Sequence, residues 1–190
     1  MDRLAYNDDR HEYRLHGKLL PSVTHILGDM MPGWKAGQWY LDRGKAVHAA
    51  AAMILRGQAF EHDPVIAGQV AACRRFVREW APRTLDVEKP VYSERYKYAG
   101  TLDAIVECDG VVYILDWKAS FSKSLPLQLA AYALANDEMH GTNIRRGIGV
   151  QLTEDGTYRT EVFGNIATYK MKWKALLQEW KNRKGECNEG

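Results

Sequence analysis

The stretch GTLDAIVECDGVVYILDWKAS (residues 100–120) constrains the fold of this chain more than any other feature. Asp109-Gly110 is a strong signal for a two-residue turn, and it separates two runs rich in β-branched and aromatic residues. The stretch therefore predicts an antiparallel hairpin in which Asp103 faces Asp116. A symmetric four-residue loop would preserve this register, whereas a three-residue loop would break it.

Side chains alternate along a strand, so the two predicted strands present an apolar face and a partly polar face. The apolar face consists of Leu102, Ala104, Val106, Cys108, Val111, Tyr113, Leu115 and Trp117. The polar groups of the other face, Thr101, Asp103, Asp116 and Lys118, cluster at the end away from the turn. Facing residues have Cβ atoms about 4.5–5.5 Å apart, where like charges are destabilising. The two aspartates therefore need a compensating partner.

Three compensating arrangements fit the residues. The carboxyl groups can share a proton, as in a carboxyl dyad. Lys118 can neutralise them in an ordinary ion network at the surface. A divalent cation can bind between them, because hard cations take carboxylate oxygens as ligands. The hairpin alone does not choose among these.

The rest of the chain predicts an α/β fold with a central mixed β-sheet flanked by helices. Further strands are expected at 87–92, 145–151 and 158–163, in addition to the hairpin strands at 101–107 and 111–118. Helices are expected at 37–56, Pro64–Trp80, 125–136 and 166–183, with a short hairpin at 11–20 followed by a helix capped by Ser22. A chain of 190 residues fits one domain: an N-terminal extension (1–36), a core (37–165) and a C-terminal helix and tail (166–190).

Composition is that of an ordinary globular protein, with 46% hydrophobic and 26% charged residues and a net charge of +2. Such a charge does not by itself indicate a nucleic-acid partner. No apolar run is long enough to span a membrane, and the N-terminus lacks the apolar core of a signal peptide. Three scattered cysteines indicate a reducing cytosol rather than a zinc or iron–sulfur site. The expected location is therefore cytoplasmic.

Several other residues are candidates for a site, although each also has an ordinary structural interpretation. Gly44 and His48 are four residues apart and share a helical face, as do Gln128 and Tyr132. Glu94 lies at an expected strand end before the hairpin. Individually these are typical of a partly buried helix histidine, a helix edge and a surface carboxylate.

Aromatic and basic residues are interleaved in GWKAGQWYLDRGKAVH, which contains Trp34, Lys35, Trp39, Tyr40, Arg43 and Lys45. Such a segment can stack bases and contact phosphates along a groove that binds nucleic acid. It is equally consistent with aromatic residues in the core and cations that face solvent. Both interpretations stay open at this point.

Taken in order, the elements are Gly44-x-x-x-His48, Glu94, Gly100-x-x-Asp103, Asp116-x-Lys118 and Gln128-x-x-x-Tyr132. This succession resembles the PD-(D/E)XK nuclease superfamily, in particular the branch of the RecB nuclease domain, the CRISPR-associated adaptation nucleases and phage exonucleases. The resemblance covers residues 44–132. It implies a restriction-endonuclease-like core and a Mg²⁺- or Mn²⁺-dependent deoxyribonuclease, an exonuclease of phage or bacterial DNA recombination or repair.

The resemblance also implies roles for individual residues. His48, Asp103 and Asp116 would bind the metal, together with the backbone carbonyl of Trp117. Lys118 would orient the attacking water and stabilise the transition state. The remaining members would lie near the metal (Glu94) or position the DNA strand (Gln128, Tyr132).

The implied partners are DNA and a single-strand annealing or recombination protein, in the host cytosol if the chain is phage-encoded. Some members carry a four-cysteine cluster, which this sequence lacks, so no iron–sulfur cluster is expected. Two alternatives remain: a structure-specific or nicking endonuclease with the same site, and a DNA-binding module without catalysis.

Overall fold

A computed structural model describes residues 4–7, 12–32 and 37–185. Its strands are β1 (Leu4–Asn7), β2 (Glu12–Leu15), β3 (Lys18–Leu20), β4 (Arg83–Ser93), β5 (Tyr98–Cys108), β6 (Val111–Lys118), β7 (Arg146–Leu152) and β8 (Tyr158–Phe163). Its helices are α1 (Val23–Met30), α2 (Gln38–Leu55), α3 (Ala67–Trp80), α4 (Leu125–His140) and α5 (Ala167–Lys184). None of these helices has both the length and the apolar character needed to cross a membrane.

The central sheet has the strand order β4-β5-β6-β7-β8. Neighbouring strands are antiparallel except β6 and β7, which are parallel and are connected through α4. Strands β1 to β3 form a separate antiparallel sheet. The predicted α/β architecture with a mixed sheet is confirmed.

Two layers of helices cover the central sheet. Residues of α2 and α3 pack with Ala104, Leu115 and Trp117 on one face. Residues of α1, α4 and α5 pack with Ile105 and Ile114 on the other. The alternation predicted from the hairpin is therefore correct over most of its length.

Leu102 is the exception, because it packs with the α1, α4 and α5 cluster and not on the face of Ala104. The prediction for this residue was wrong. The alternation breaks at Asp103, which is also where β5 stops pairing with β6. A strand that no longer shares a ladder with its neighbour can twist away from the face it presented before.

Local signals set several of the element boundaries. Asp109 and Gly110 both have positive φ, as a two-residue type I′ hairpin turn requires. The side chain of Ser22 accepts a hydrogen bond from the backbone N–H of His25 and so caps α1 as predicted.

Other boundaries differ from the predictions. The segment expected to be helical from Pro64 begins as a 3₁₀ turn, Pro64–Ile66, before α3. Strand β4 starts at Arg83, four residues before the predicted 87, and α4 continues to His140 rather than 136. The predicted hairpin at 11–20 is present as β2 and β3, whereas residue 11 and the tail at 186–190 lie outside the described residues.

Candidate active site

The candidate site lies where the central sheet splits. Registered pairing between β5 and β6 ends at Ala104 and Leu115. Beyond that point β5 stays paired with β4 and forms a single parallel bridge from Ala99 to Ser22, while Asp116–Lys118 of β6 pair with β7. The predicted facing pair, Asp103 and Asp116, therefore stands at the opening between two strands that separate.

Asp103 is held from two directions. Its Oδ1 lies 3.2 Å from Nδ1 of His48 on α2, and its Oδ2 accepts a 2.8 Å hydrogen bond from the backbone N–H of Trp117. The residue is 8% exposed. Both carboxylate oxygens thus have fixed positions, one toward the helix layer and one within the sheet.

Asp116 is more deeply buried, at 1% exposed. Nζ of Lys118 lies 2.6 Å from its Oδ2, but Oδ2 receives no hydrogen bond of acceptable direction from the described residues. Burial and the nearby charge of Asp103 raise the pKa of Asp116 to about 6, although Lys118 acts in the opposite direction. The ammonium of Lys118 is therefore the cation that compensates this buried carboxylate oxygen.

Lys118 is positioned by α4 as well as by Asp116. Its Nζ donates a 3.0 Å hydrogen bond to Oε1 of Gln128, and Nε2 of Gln128 lies 3.4 Å from Oη of Tyr132. Burial lowers the pKa of Lys118, but the carboxylates of Asp116 and Asp103 outweigh it, so the pKa rises. The lysine is therefore a fixed positive charge at neutral pH.

His48 also carries a positive charge near neutral pH in this arrangement. Burial lowers the pKa of His48, but the carboxylate of Asp103 raises it more strongly, to about 9. The side chain is 35% exposed and faces the split from α2. The structure thus brings His48, Asp103, Asp116, Lys118, Gln128 and Tyr132 together.

Gly100 explains how Tyr132 reaches this cluster. A Cβ atom at position 100 would lie 2.5 Å from Cε1 of the Tyr132 ring. The glycine therefore makes room for the ring against β5. The Gly100-x-x-Asp103 pattern thus provides space for the tyrosine ring at its first position and the carboxylate at its last.

Glu88 is the acidic residue that the sequence reasoning missed. Ligand atoms of His48, Glu88 and Asp103 all lie within 4.8 Å of one another, an arrangement that could hold a metal ion. In the register of β4 on β5, Glu88 stands opposite Asp103, between the pairs formed by Val87 and Lys89. Its φ of 50° is unusual for a residue with a side chain, and such backbone is concentrated at functional sites.

Glu94, which was expected near the metal, lies in the turn that follows β4, and it is exposed. Because Ser93 pairs with Tyr98, Asp103 is five residues further along β5, or about 17 Å. The structure therefore does not place Glu94 in the cluster. With a tight turn directly after Ser93, pairing the residues of β4 and β5 one by one from the turn places Glu88 opposite Asp103.

The aromatic and basic residues expected to contact DNA, Trp39, Arg43 and Lys45, lie on α2, whereas Trp34 and Lys35 lie outside the described residues. The guanidinium of Arg43 forms an ion pair with Glu154 and lies 4.8 Å from the centre of the Trp39 ring. Trp39 is 55% exposed, and Lys45 is exposed as well. Arg43 thus connects α2 to the turn between β7 and β8, while the aromatic ring beside it faces outward.

The mixed sheet, together with an Asp-x-Lys strand end beside a helix histidine, resembles the arrangement of the PD-(D/E)XK nuclease superfamily. The resemblance seen in the sequence is confirmed. The chain is 27% identical to mitochondrial genome maintenance exonuclease 1 of Homo sapiens, over 77% of this chain and 47% of that protein. It is also 27% identical to the protein of that name in Mus musculus, over 85% of this chain and 59% of that protein.

The chain thus spans about half the length of the curated relatives it matches. No protein-family model matches it. The chain also aligns with a solved structure of an exonuclease from Laribacter hongkongensis in complex with dAMP. The aligned region covers 88% of this chain and 94% of the exonuclease chain, with 10% identity and a TM-score of 0.43. That likeness is too weak to add to the assignment.

Proposed function

We propose that this chain is a metal-dependent DNA nuclease that acts as an exonuclease. The observation that carries the proposal is the convergence of two buried aspartates with a partly buried histidine and a partly buried lysine at the split between β5 and β6. The relatives are named as genome maintenance exonucleases, which supports DNA as the substrate.

The donor set fits a small divalent cation. Mg²⁺ has ligands at about 2.0–2.1 Å in octahedral geometry, so neighbouring ligand atoms are about 3 Å apart. His48 Nδ1 and Asp103 Oδ1 are 3.2 Å apart, and Asp116 offers a buried oxygen, Oδ2, which lies 2.6 Å from Nζ of Lys118. Oxygen ligands favour Mg²⁺ or Mn²⁺, and the imidazole adds some preference for Mn²⁺.

His48, Asp103 and Asp116 would hold this ion, with the Trp117 carbonyl and Glu88 as further oxygen donors. When bound, it would polarise the scissile phosphate and lower the pKa of an attacking water. Lys118, held between Asp116 and Gln128, would orient that water and stabilise the negative charge that develops on the phosphate. Tyr132 would support the lysine through Gln128.

A time course on three DNAs tests the proposal: linear duplex, end-labelled single strand and closed circle, each with Mg²⁺, Mn²⁺ or EDTA. The proposal predicts degradation of linear DNA that requires metal and spares the circle. Lys118→Ala should lose this activity. Lys89→Ala is the matched control, because Lys89 forms an ion pair with Asp86 on the same sheet but outside the site.

Metal-dependent cutting of the circle would instead indicate an endonuclease. If no DNA is cleaved and neither metal raises the melting temperature, the proposed function is wrong. The two aspartates would then belong to an ion network with Lys118 and His48.

A further inference from the structure

Gly44 lies in the interior of α2, where glycine is less favourable than alanine. Its φ is not positive, so the backbone does not require glycine. A Cβ atom built at this position meets no heavy atom of the described part of the chain within 4 Å. Neither conformation nor packing within the described residues therefore accounts for the missing side chain.

The position of Gly44 relative to the candidate site does suggest a reason. Gly44 precedes His48 by four residues, so the two share a face of α2 and lie about 6 Å apart along its axis. Lys45, the next residue, is exposed. A gap without a side chain, beside a cation, thus adjoins the histidine that would bind the metal.

We propose that the substrate strand crosses α2 at Gly44, where its sugar–phosphate backbone packs directly against the helix. The inference rests on the proposed function and adds how the strand reaches the site. A phosphate bound in the candidate site beside His48 would place the neighbouring nucleotide within one helical turn of this histidine, over Gly44. A side chain there would occupy the space that the strand needs, and Lys45 is placed to contact the same strand.

A pair of glycine-to-alanine variants tests this proposal. Gly28 is the matched control, because it is also a helix glycine whose added Cβ would meet nothing within 4 Å in the described residues, and it lies on α1. Both substitutions should raise the melting temperature in EDTA by about 2–4 °C for a chain of this size. Gly44→Ala alone should weaken DNA binding.

Binding is measured by fluorescence anisotropy with end-labelled single-stranded and duplex DNA in EDTA, which suppresses cleavage. Gly44→Ala should raise the Kd about tenfold, equivalent to about 1.4 kcal/mol, and raise the KM for cleavage in Mg²⁺. Gly28→Ala should leave both values unchanged. An increase in stability together with a loss of affinity is the signature of space reserved for a ligand.

Two outcomes would overturn the inference while leaving the proposed function intact. In the first, Gly44→Ala binds and cleaves DNA as the unmodified protein does. In the second, Gly44→Ala lowers the melting temperature, which would show that the fold itself needs glycine there. If the unmodified protein neither binds nor cleaves DNA, the proposed function fails, and the inference fails with it.

Discussion

Oδ2 of Asp103 accepts a 2.8 Å hydrogen bond from the backbone N–H of Trp117. Registered pairing between their strands has ended at Ala104 and Leu115, so a side chain takes up the main-chain donor where the ladder stops. The carboxylate is thereby tied to the segment that carries Asp116 and Lys118. The geometry of the candidate site consequently depends on the sheet and not only on the side chains.

This contact allows the structural role of Asp103 to be separated from its chemical role. Asp103→Ala should leave the buried Trp117 N–H without an acceptor and cost about 1–3 kcal/mol of the free energy of unfolding. Asp103→Asn keeps an oxygen acceptor, so we expect a smaller loss of stability in EDTA. Both variants should lose cleavage and metal-induced stabilisation. Denaturant unfolding in EDTA, repeated with Mn²⁺, measures each quantity, and full activity of the Asn variant would contradict the assignment.

Glu88 and Glu94 provide a direct test of the metal site, because both acidic residues lie between α3 and β5 but only Glu88 faces Asp103. Glu88→Gln should reduce the rise in melting temperature produced by Mn²⁺. A cation at 100 times its Kd adds about 2.7 kcal/mol of stability, so a tenfold loss of affinity removes about half of this effect. Glu94→Gln should respond to Mn²⁺ as the unmodified protein does. If Glu94→Gln weakened the response to Mn²⁺ and Glu88→Gln did not, the metal site would include Glu94 instead of Glu88.

Gly100→Ala should disturb the site through Tyr132. The added Cβ would lie 2.5 Å from the ring, so the ring must move or the strand must shift, which typically costs about 1–3 kcal/mol. Because Tyr132 is linked to Lys118 through Gln128, cleavage should decrease together with the melting temperature. Gly164→Ala, at an open loop position, serves as the control. Unchanged stability and activity of Gly100→Ala would show that the position of the Tyr132 ring does not depend on a glycine at position 100.

The raised pKa of His48 predicts how the stability of the metal-free protein depends on pH. Its pKa is raised from 6.5 to about 9 in the folded protein, so its contribution to stability is full below pH 6.5 and is lost as the pH rises through 9. In EDTA the melting temperature should therefore fall between pH 7 and 9. His48→Gln cannot titrate and should give a flatter profile. The pKa of Asp116, raised to about 6, affects stability mainly below this range.

Metal-induced stabilisation should have the opposite pH dependence. A histidine binds a metal only as the neutral imidazole, so binding releases the proton that His48 carries. The increase in melting temperature produced by Mn²⁺ should grow from pH 6.5 to 8.5. An increase that does not change with pH would indicate that His48 is not a ligand.

The local sequence was sufficient to predict the hairpin and the residues it carries. Asp109-Gly110 determines the turn, and a short antiparallel pair then fixes which side chains are opposite each other. Asp103, Asp116 and Lys118 could be placed together because they lie within one hairpin. The four-residue spacing of Gln128 and Tyr132 placed both on one helix face, and α4 immediately follows β6.

Contacts between elements distant in sequence were decided only by the tertiary structure. The register of β4 on β5 shifts between Thr84 and Asp86, and the backbone at Glu88 is left-handed. Nothing in the local pattern predicts either feature. Glu88 itself could be placed opposite Asp103 only with the length of the turn after Ser93, which the pairing of Ser93 with Tyr98 supplies. The pairing of Arg43 with Glu154 likewise joins residues more than a hundred positions apart.

The physical reason is the range over which each interaction acts. Turn conformation, capping and side-chain alternation depend on a few neighbouring residues, so the chemistry of the Asp-x-Lys hairpin can be recognised in the sequence alone. The split between β5 and β6, the seat of Tyr132 on Gly100 and the position of Glu88 depend on how whole strands and helices pack. Those features exist only once the sheet and its two helical layers have assembled.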